Sequence, residues 1–184
     1  RTIALYVLNN GISSADEEAV VARLDDIEIT LSHENGEQQI FLNGANVSKE
    51  IRREEVGKTA SAVAKYEKVR KKLVSLQQKI ASENDVIMDG RDIGTVVLPN
   101  AEVKIYLTAS SRVRAERRYK ELQEKGETCD LDQIEKDIIL RDEQDMNREI
   151  SPLRQADDAI LVDSSDMSIE EVVNCLIDII KKAD

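Results

Sequence analysis

Apolar and polar positions along this 184-residue chain switch repeatedly between the period of a helix and that of a strand. Ile3, Ala4, Leu5, Val7 and Leu8 form an apolar helical run that Asn9-Asn10-Gly11 brings to an end. Ser13-Ser14 with Glu17 is a capping signal for a second helix to about Leu24. Ile27 to Leu31 alternates as a half-buried strand does, Asn35-Gly36 is a hairpin turn, and Gln39 to Leu42 returns. Asn43-Gly44 turns again before Asn46-Val47-Ser48, so a small antiparallel sheet is expected here. Helical periodicity then runs from about Glu54 to Ala81, with a joint near Tyr66-Glu67.

From Asp85 the pattern changes. Strands are expected at 85–89 (Val86, Ile87, Met88), 102–107 and 159–163, and helices at about 110–124, 131–145 and 168–181. Gly126 separates the two middle helices with a charged loop. Strand-helix alternation of this kind predicts an α/β fold with a mostly parallel sheet and covering helices, the antiparallel element being an insertion. The chain starts at Arg1, inside an apolar helix and without an initiator Met, which leads us to expect that further residues precede it.

Composition narrows the functional classes. A net charge of −11 disfavours nucleic acid polymers and anionic membranes as partners, and 3% aromatic residues without Trp leave no stacking platform. No apolar run approaches a membrane span. The lone histidine, His33, in what reads as a polar turn, argues against histidine base chemistry and His-rich metal sites. Cys129 and Cys175 lie far apart without metal-ligand spacing, as expected in a reducing cytoplasm.

Three arrangements carry candidate chemistry. Arg91-Asp92 follows the expected strand at 85–89, and ligands of open α/β sheets sit beyond the carboxyl ends of strands. Such neighbouring charges read either as a structural ion pair or as ligand groups. Arg141, Asp145 and Arg148, at offsets of four and seven, share one helix face within about 60°. Two guanidiniums around a carboxylate can clamp a phosphate and bond a sugar hydroxyl, although a solvated stripe has the same pattern. Seven of the thirteen arginines fall between Arg112 and Arg154, including Arg117-Arg118, which suits bidentate phosphate recognition or an exposed Glu-laced face. Ser61 in a small-residue patch, Arg70 in a basic run and Asp163-Ser164-Ser165 read by themselves as packing, solvation and a turn.

Taken together, FLNGANVSKEIR (41–52), EVGKTASAVAKYEKVR (55–70), DGRDIGTVVLPNAEVKIYLTAS (89–110), RRYKELQEKGE (117–127) and RDEQDMNREISPL (141–153) closely resemble bacterial cytidylate kinases, over essentially the whole chain. The resemblance implies a P-loop nucleoside monophosphate kinase fold: a parallel sheet with helices on both faces, formed by 1–25 and 84–184 with a lid at about 120–132. A nucleotide-binding insertion would cover 26–83. It implies transfer of the ATP γ-phosphoryl group to CMP or dCMP by a cytoplasmic monomer, with Mg²⁺ accompanying ATP and no protein metal site. Ser61, Arg70 and Asp92 would then read the base, Arg141 and Asp145 the ribose, and Arg1, Arg91 and Arg148 the acceptor phosphate. Arg91, Arg141 and Arg148 would act in catalysis, and Arg117 and Arg118 would serve ATP and the lid.

One family element is missing from the sequence. The Gly-rich loop ending in Gly-Lys-Ser/Thr would precede Arg1 together with the first two strands, and Gly57-Lys58-Thr59 lacks its upstream glycine. The 184 residues alone are therefore expected to be inactive and poorly stable. Two other readings stay open: a shortened relative that binds nucleotide without catalysis, and a P-loop kinase for another small metabolite.

Overall fold

Asn35 and Gly36 both take positive φ, +54° and +79°, the backbone of a tight two-residue hairpin turn. They join β1 (Ile29–Glu34) to β2 (Glu37–Leu42) in antiparallel register from Ile29 opposite Leu42 to Glu34 opposite Glu37. Asn43-Gly44 makes the second turn, and the short β3 (Ala45–Asn46) completes a three-stranded sheet. His33 lies within β1 opposite Gln38, which corrects its expected place in a turn. The strand continues three residues beyond Leu31, up to the point where Asn35 can adopt φ > 0, and its burial does not alternate: Leu31 is exposed.

The computed structural model describes residues 1–183 and divides into two units, the first spanning Arg1–Glu83 and the second beginning at Asn84. In the first unit, α1 (Thr2–Asn9) ends as the sequence indicates, with Gly11 at φ +63°. The next helix, α2 (Glu17–Val21), is shorter than expected. Its cap is Asp16, not Ser13 or Ser14: the Asp16 carboxylate accepts a hydrogen bond from the Ala19 amide at 3.0 Å. A carboxylate is favoured at the positive end of the helix dipole, and Asp16 is seated there.

The helical stretch after Arg53 is broken at Ala64–Tyr66 into α3 (Glu54–Val63) and α4 (Glu67–Glu83). The Tyr66 hydroxyl donates to the Ser14 carbonyl at 2.7 Å, and Lys72 Nζ donates to the Leu24 carbonyl at 2.6 Å. Leu5 and Val7 of α1, Val20 of α2, Leu42 of β2, Val56 of α3 and Val69 of α4 belong to one buried cluster. By packing, residues 1–25 share their apolar core with the segment that follows them.

In the second unit, β4 (Ile105–Thr108) and β5 (Ile160–Asp163) pair in parallel, Ile105 with Ile160 through Thr108 with Asp163. The crossover between them contains α5 (Ser111–Glu124) and α6 (Leu131–Asn147), separated by Gly126 at φ +75°. Ser110 and Asp130 cap the two helices, accepting from the amides of Val113 and Gln133. The expected strand at 85–89 is not one. Among the described residues no strand pairs with it, and Ile87 is 93% exposed. An extended segment becomes a strand only when a neighbour takes its backbone hydrogen bonds, and apolar content alone does not provide that. The parallel sheet therefore has two strands here, with Leu107, Ile160 and Leu161 exposed.

The last helix, α7 (Ile169–Lys181), begins with a reciprocal cap: the Ser168 hydroxyl accepts from the Glu171 amide, and the Glu171 carboxylate accepts from the Ser168 amide at 2.8 Å. The Ser168 amide, together with the Ser168 hydroxyl, which also donates to it at 2.8 Å, holds the Glu171 carboxyl below the usual carboxylate range. A depressed carboxyl adds stability above its unfolded pKa and loses it as pH falls through the folded one. Ser168→Ala is expected to cost about 1 kcal/mol at neutral pH. The deficit relative to wild type should shrink on acidification to about pH 3. Urea unfolding at the two pH values measures both.

Candidate functional site

Past the unpaired segment 85–89, the chain passes through Gly90-Arg91-Asp92 into a single π-helical turn, Ile93–Val97. The amides of Val97 and Leu98 bond the carbonyls of Asp92 and Ile93, at 3.2 and 2.7 Å. Such wide turns are frequent at functional sites because they re-aim side chains without ending the chain's direction. Gly90 is needed for this path: a Cβ there would lie 2.9 Å from Cγ1 of Ile93. The turn buries Asp92 to 8% exposure and leaves Arg91 at the surface.

The single stripe expected for Arg141, Asp145 and Arg148 is not what forms. Arg141 and Asp145 are one turn apart on α6, but the helix ends at Asn147 and Arg148 has extended backbone, φ −65° and ψ 142°. Pro152 explains the stop. It has no amide for the Arg148 carbonyl, and its ring would collide with that carbonyl in a continued helix. Arg141 projects to solvent and has no ion pair among the described residues. The Arg148 side chain instead turns back toward Asp145 and Asp92.

The result is a run of four alternating charges. Arg91 Nε donates to Asp145 Oδ2 at 2.8 Å. The other oxygen of Asp145 faces Arg148 Nη1 at 3.8 Å, and Arg148 Nη2 lies 3.7 Å from Asp92 Oδ1. Arg148 Nε donates to the carbonyl of Ser151. Below this run the Leu153 amide bonds the Asp145 carbonyl at 2.8 Å, fastening the segment after α6 against its last turn. Arg91 is about half exposed, whereas Arg148, Asp145 and Asp92 keep 20% or less of their side-chain surface.

Chemically, this cluster suits an anion that also carries hydrogen-bonding groups. Two guanidiniums stand on either side of one carboxylate, and the fork geometry of a guanidinium suits bidentate contact with phosphate. Among the described residues, no three or more His, Cys, Asp or Glu side chains are grouped so as to hold a metal ion.

The remaining arginines of the basic run meet partners within the second unit. Arg114 Nη2 bonds Asp142 Oδ2 at 2.6 Å, and its Nε bonds the Ala109 carbonyl, fixing α6 to the start of α5. Arg112 meets Asp132 and Glu135 on α6 at 2.8 and 3.1 Å. Arg117 donates to the Ser164 carbonyl at 2.6 Å, and Arg118 pairs with Glu121 at 2.8 Å on the surface. Lys125 and Arg118 together hold the Glu121 carboxyl down to about 2. Asp163-Ser164-Ser165 is a turn, as expected, with the Ser165 amide and hydroxyl bonded to the Asp163 carboxylate.

Arg1, Ser61 and Arg70 lie in the first unit. The Arg1 guanidinium donates to the Ile51 carbonyl at 2.9 Å and lies over Gly57, where a Cβ would come within 3.3 Å of Nη2. Ser61 is exposed on α3, and Arg70 is half-buried in the first turn of α4. Arg114, Asp142 and Ser151 carry structural weight that the spacing of charges did not single out. Pro152, which marks the end of a helix, was the available signal for the last of them.

Comparison with known proteins places these observations in context. A family model described as cytidylate kinase matches residues 1–182. The chain is 47% identical over 182 residues to a cytidylate kinase of Lactobacillus johnsonii, covering 99% of this chain and 79% of that protein. It is 47% identical to one of Caldicellulosiruptor bescii, covering 99% and 80%, and 49% identical over 181 residues to one of Leuconostoc mesenteroides, covering 98% and 81%.

Proposed function

The chain belongs to the cytidylate kinase family, and on that premise we propose that it serves to move the γ-phosphoryl group of ATP onto CMP or dCMP. The observation that carries this is the run Arg91–Asp145–Arg148–Asp92, which joins two cations of a type suited to phosphate to two carboxylates able to accept from a sugar or a base. In the proposed roles, Arg91 and Arg148 hold the acceptor phosphate and Arg141 and Asp145 the ribose. Asp92 accepts from the exocyclic amine of cytosine, a donor that uracil lacks. Arg1 is assigned to the phosphate, Ser61 and Arg70 to the base, and Arg117 and Arg118 to the ATP side.

Phosphoryl transfer asks little covalent chemistry of the protein. The acceptor phosphate oxygen is itself the nucleophile, and two polyanions must be aligned against their mutual repulsion. Guanidiniums that are always charged and already held in place do this without a histidine or an activated side chain. Mg²⁺ enters the proposal as the ion that ATP brings with it. Among the described residues no helix is long and apolar enough to cross a membrane. Action as a cytoplasmic monomer completes the proposal.

ADP release measured with CMP, dCMP, UMP and AMP in turn, on a protein that carries the Gly-rich loop ahead of Arg1, tests it. Turnover with CMP and dCMP well above UMP and AMP is expected, and equal turnover with all four would reject it. The loop Gly-x₄-Gly-Lys-Ser/Thr is not among the 184 residues, so these residues expressed by themselves should bind CMP without releasing ADP.

A further inference from the structure

Among the described residues of the second unit, Ser151 is the one non-glycine position with positive φ, +52°. The two others in the chain, Asn35 and Asn43, occupy hairpin turns, where asparagine tolerates this backbone and a glycine follows. Ser151 has no such local reason. It precedes Pro152, and a residue before proline is normally confined to extended backbone with negative φ. Backbone strain of this kind persists where the surroundings enforce it, and functional sites are where it tends to be stored.

The surroundings of Ser151 show what it accomplishes. Its carbonyl accepts from Nε of Arg148, three residues earlier. A guanidinium is planar, so tying Nε to a fixed acceptor sets the plane of the whole group. With Nε engaged from below, Nη1 faces Asp145 and Nη2 faces Asp92. A second bond, from the Leu153 amide to the Asp145 carbonyl, closes the same loop. The carboxylates alone would not define this orientation, because both stand 3.7–3.8 Å from the guanidinium, beyond hydrogen-bond range.

We infer that Ser151 is a positioning residue: its left-handed backbone aims a carbonyl at Arg148 Nε and thereby orients the guanidinium for the acceptor phosphate. The inference rests on the phosphate-binding role proposed above for Arg148.

The test measures CMP binding by titration calorimetry on purified variants. Ser151→Gly and Ser151→Asn, which keep positive φ accessible, should hold the dissociation constant within about twofold of wild type. Ser151→Val, whose branched side chain disfavours that backbone, should weaken CMP about tenfold through the lost charged hydrogen bond. If the valine variant does not fold, Ser151→Ala makes the same comparison with a smaller shift, about threefold. In an Arg148→Lys background, which has no Nε to orient, Ser151→Val should change CMP affinity by less than about twofold.

Ser151→Val with wild-type affinity would overturn the inference. So would an equal tenfold loss in the lysine background, since that is the behaviour of a residue with a merely structural role. If Arg148→Lys itself leaves CMP affinity unchanged, the phosphate assignment fails first and takes the inference with it.

Discussion

Replacing Arg148 with methionine is expected to weaken CMP binding about 100-fold and to reduce kcat/KM for CMP by at least as much. Methionine keeps much of the side-chain volume and removes only the guanidinium. Two consequences follow from its location. The first is loss of a cation whose plane is already oriented by Ser151 and flanked by Asp92 and Asp145. The second is that these two carboxylates, both largely withdrawn from water, keep one cation fewer between them. Removing one member of a buried ion pair costs several kcal/mol. With separations of 3.7 and 3.8 Å and about a fifth of the arginine exposed, a value of about 2 kcal/mol is expected here. Calorimetric titration with CMP and urea unfolding read the two effects separately. A variant destabilised by that amount with undiminished CMP affinity would leave Arg148 as a structural residue alone.

Asp92→Asn is expected to act on selectivity more than on affinity for phosphate. The change is isosteric, so packing in the π-helical turn survives, but an acceptor-only carboxylate becomes an amide that also donates. If Asp92 accepts from the cytosine amine, a donor at this place favours the uracil carbonyl instead. The preference for CMP over UMP, taken as the ratio of kcat/KM values, should narrow about 10- to 100-fold. The variant also loses a negative charge 3.7 Å from Arg148, which changes the field on the phosphate of both nucleotides alike. The ratio separates the two causes, and an unchanged ratio would remove Asp92 from base recognition.

Features that depend on a few neighbouring residues were legible before the fold was known. Asn35-Gly36 marked its hairpin, Gly11 and Gly126 marked helix ends, and the helices in the second half lie within a few residues of their expected bounds. Each of these is a local matter of φ preference or capping, decided by the residues themselves. The expectations that failed depended on something distant. Residues 85–89 have strand composition but no strand beside them, and Ser13-Ser14 have capping chemistry while Asp16 occupies the position.

The candidate site divides in the same way. The family could be read from motifs spread over the whole chain. Helical periodicity placed Arg141 and Asp145 one turn apart, as found, but carried Arg148 onto the same face, where the backbone before Pro152 does not allow it. By itself, then, the sequence determined the turns and helix ends that neighbouring residues decide, and the family. Only the tertiary structure decided their partners: Arg91 meets Asp145 across 54 residues, Arg114 meets Asp142 across 28, and Arg141 meets neither. Charges so far apart along the chain become neighbours through the path of the backbone between them, and no spacing of residue types encodes that path.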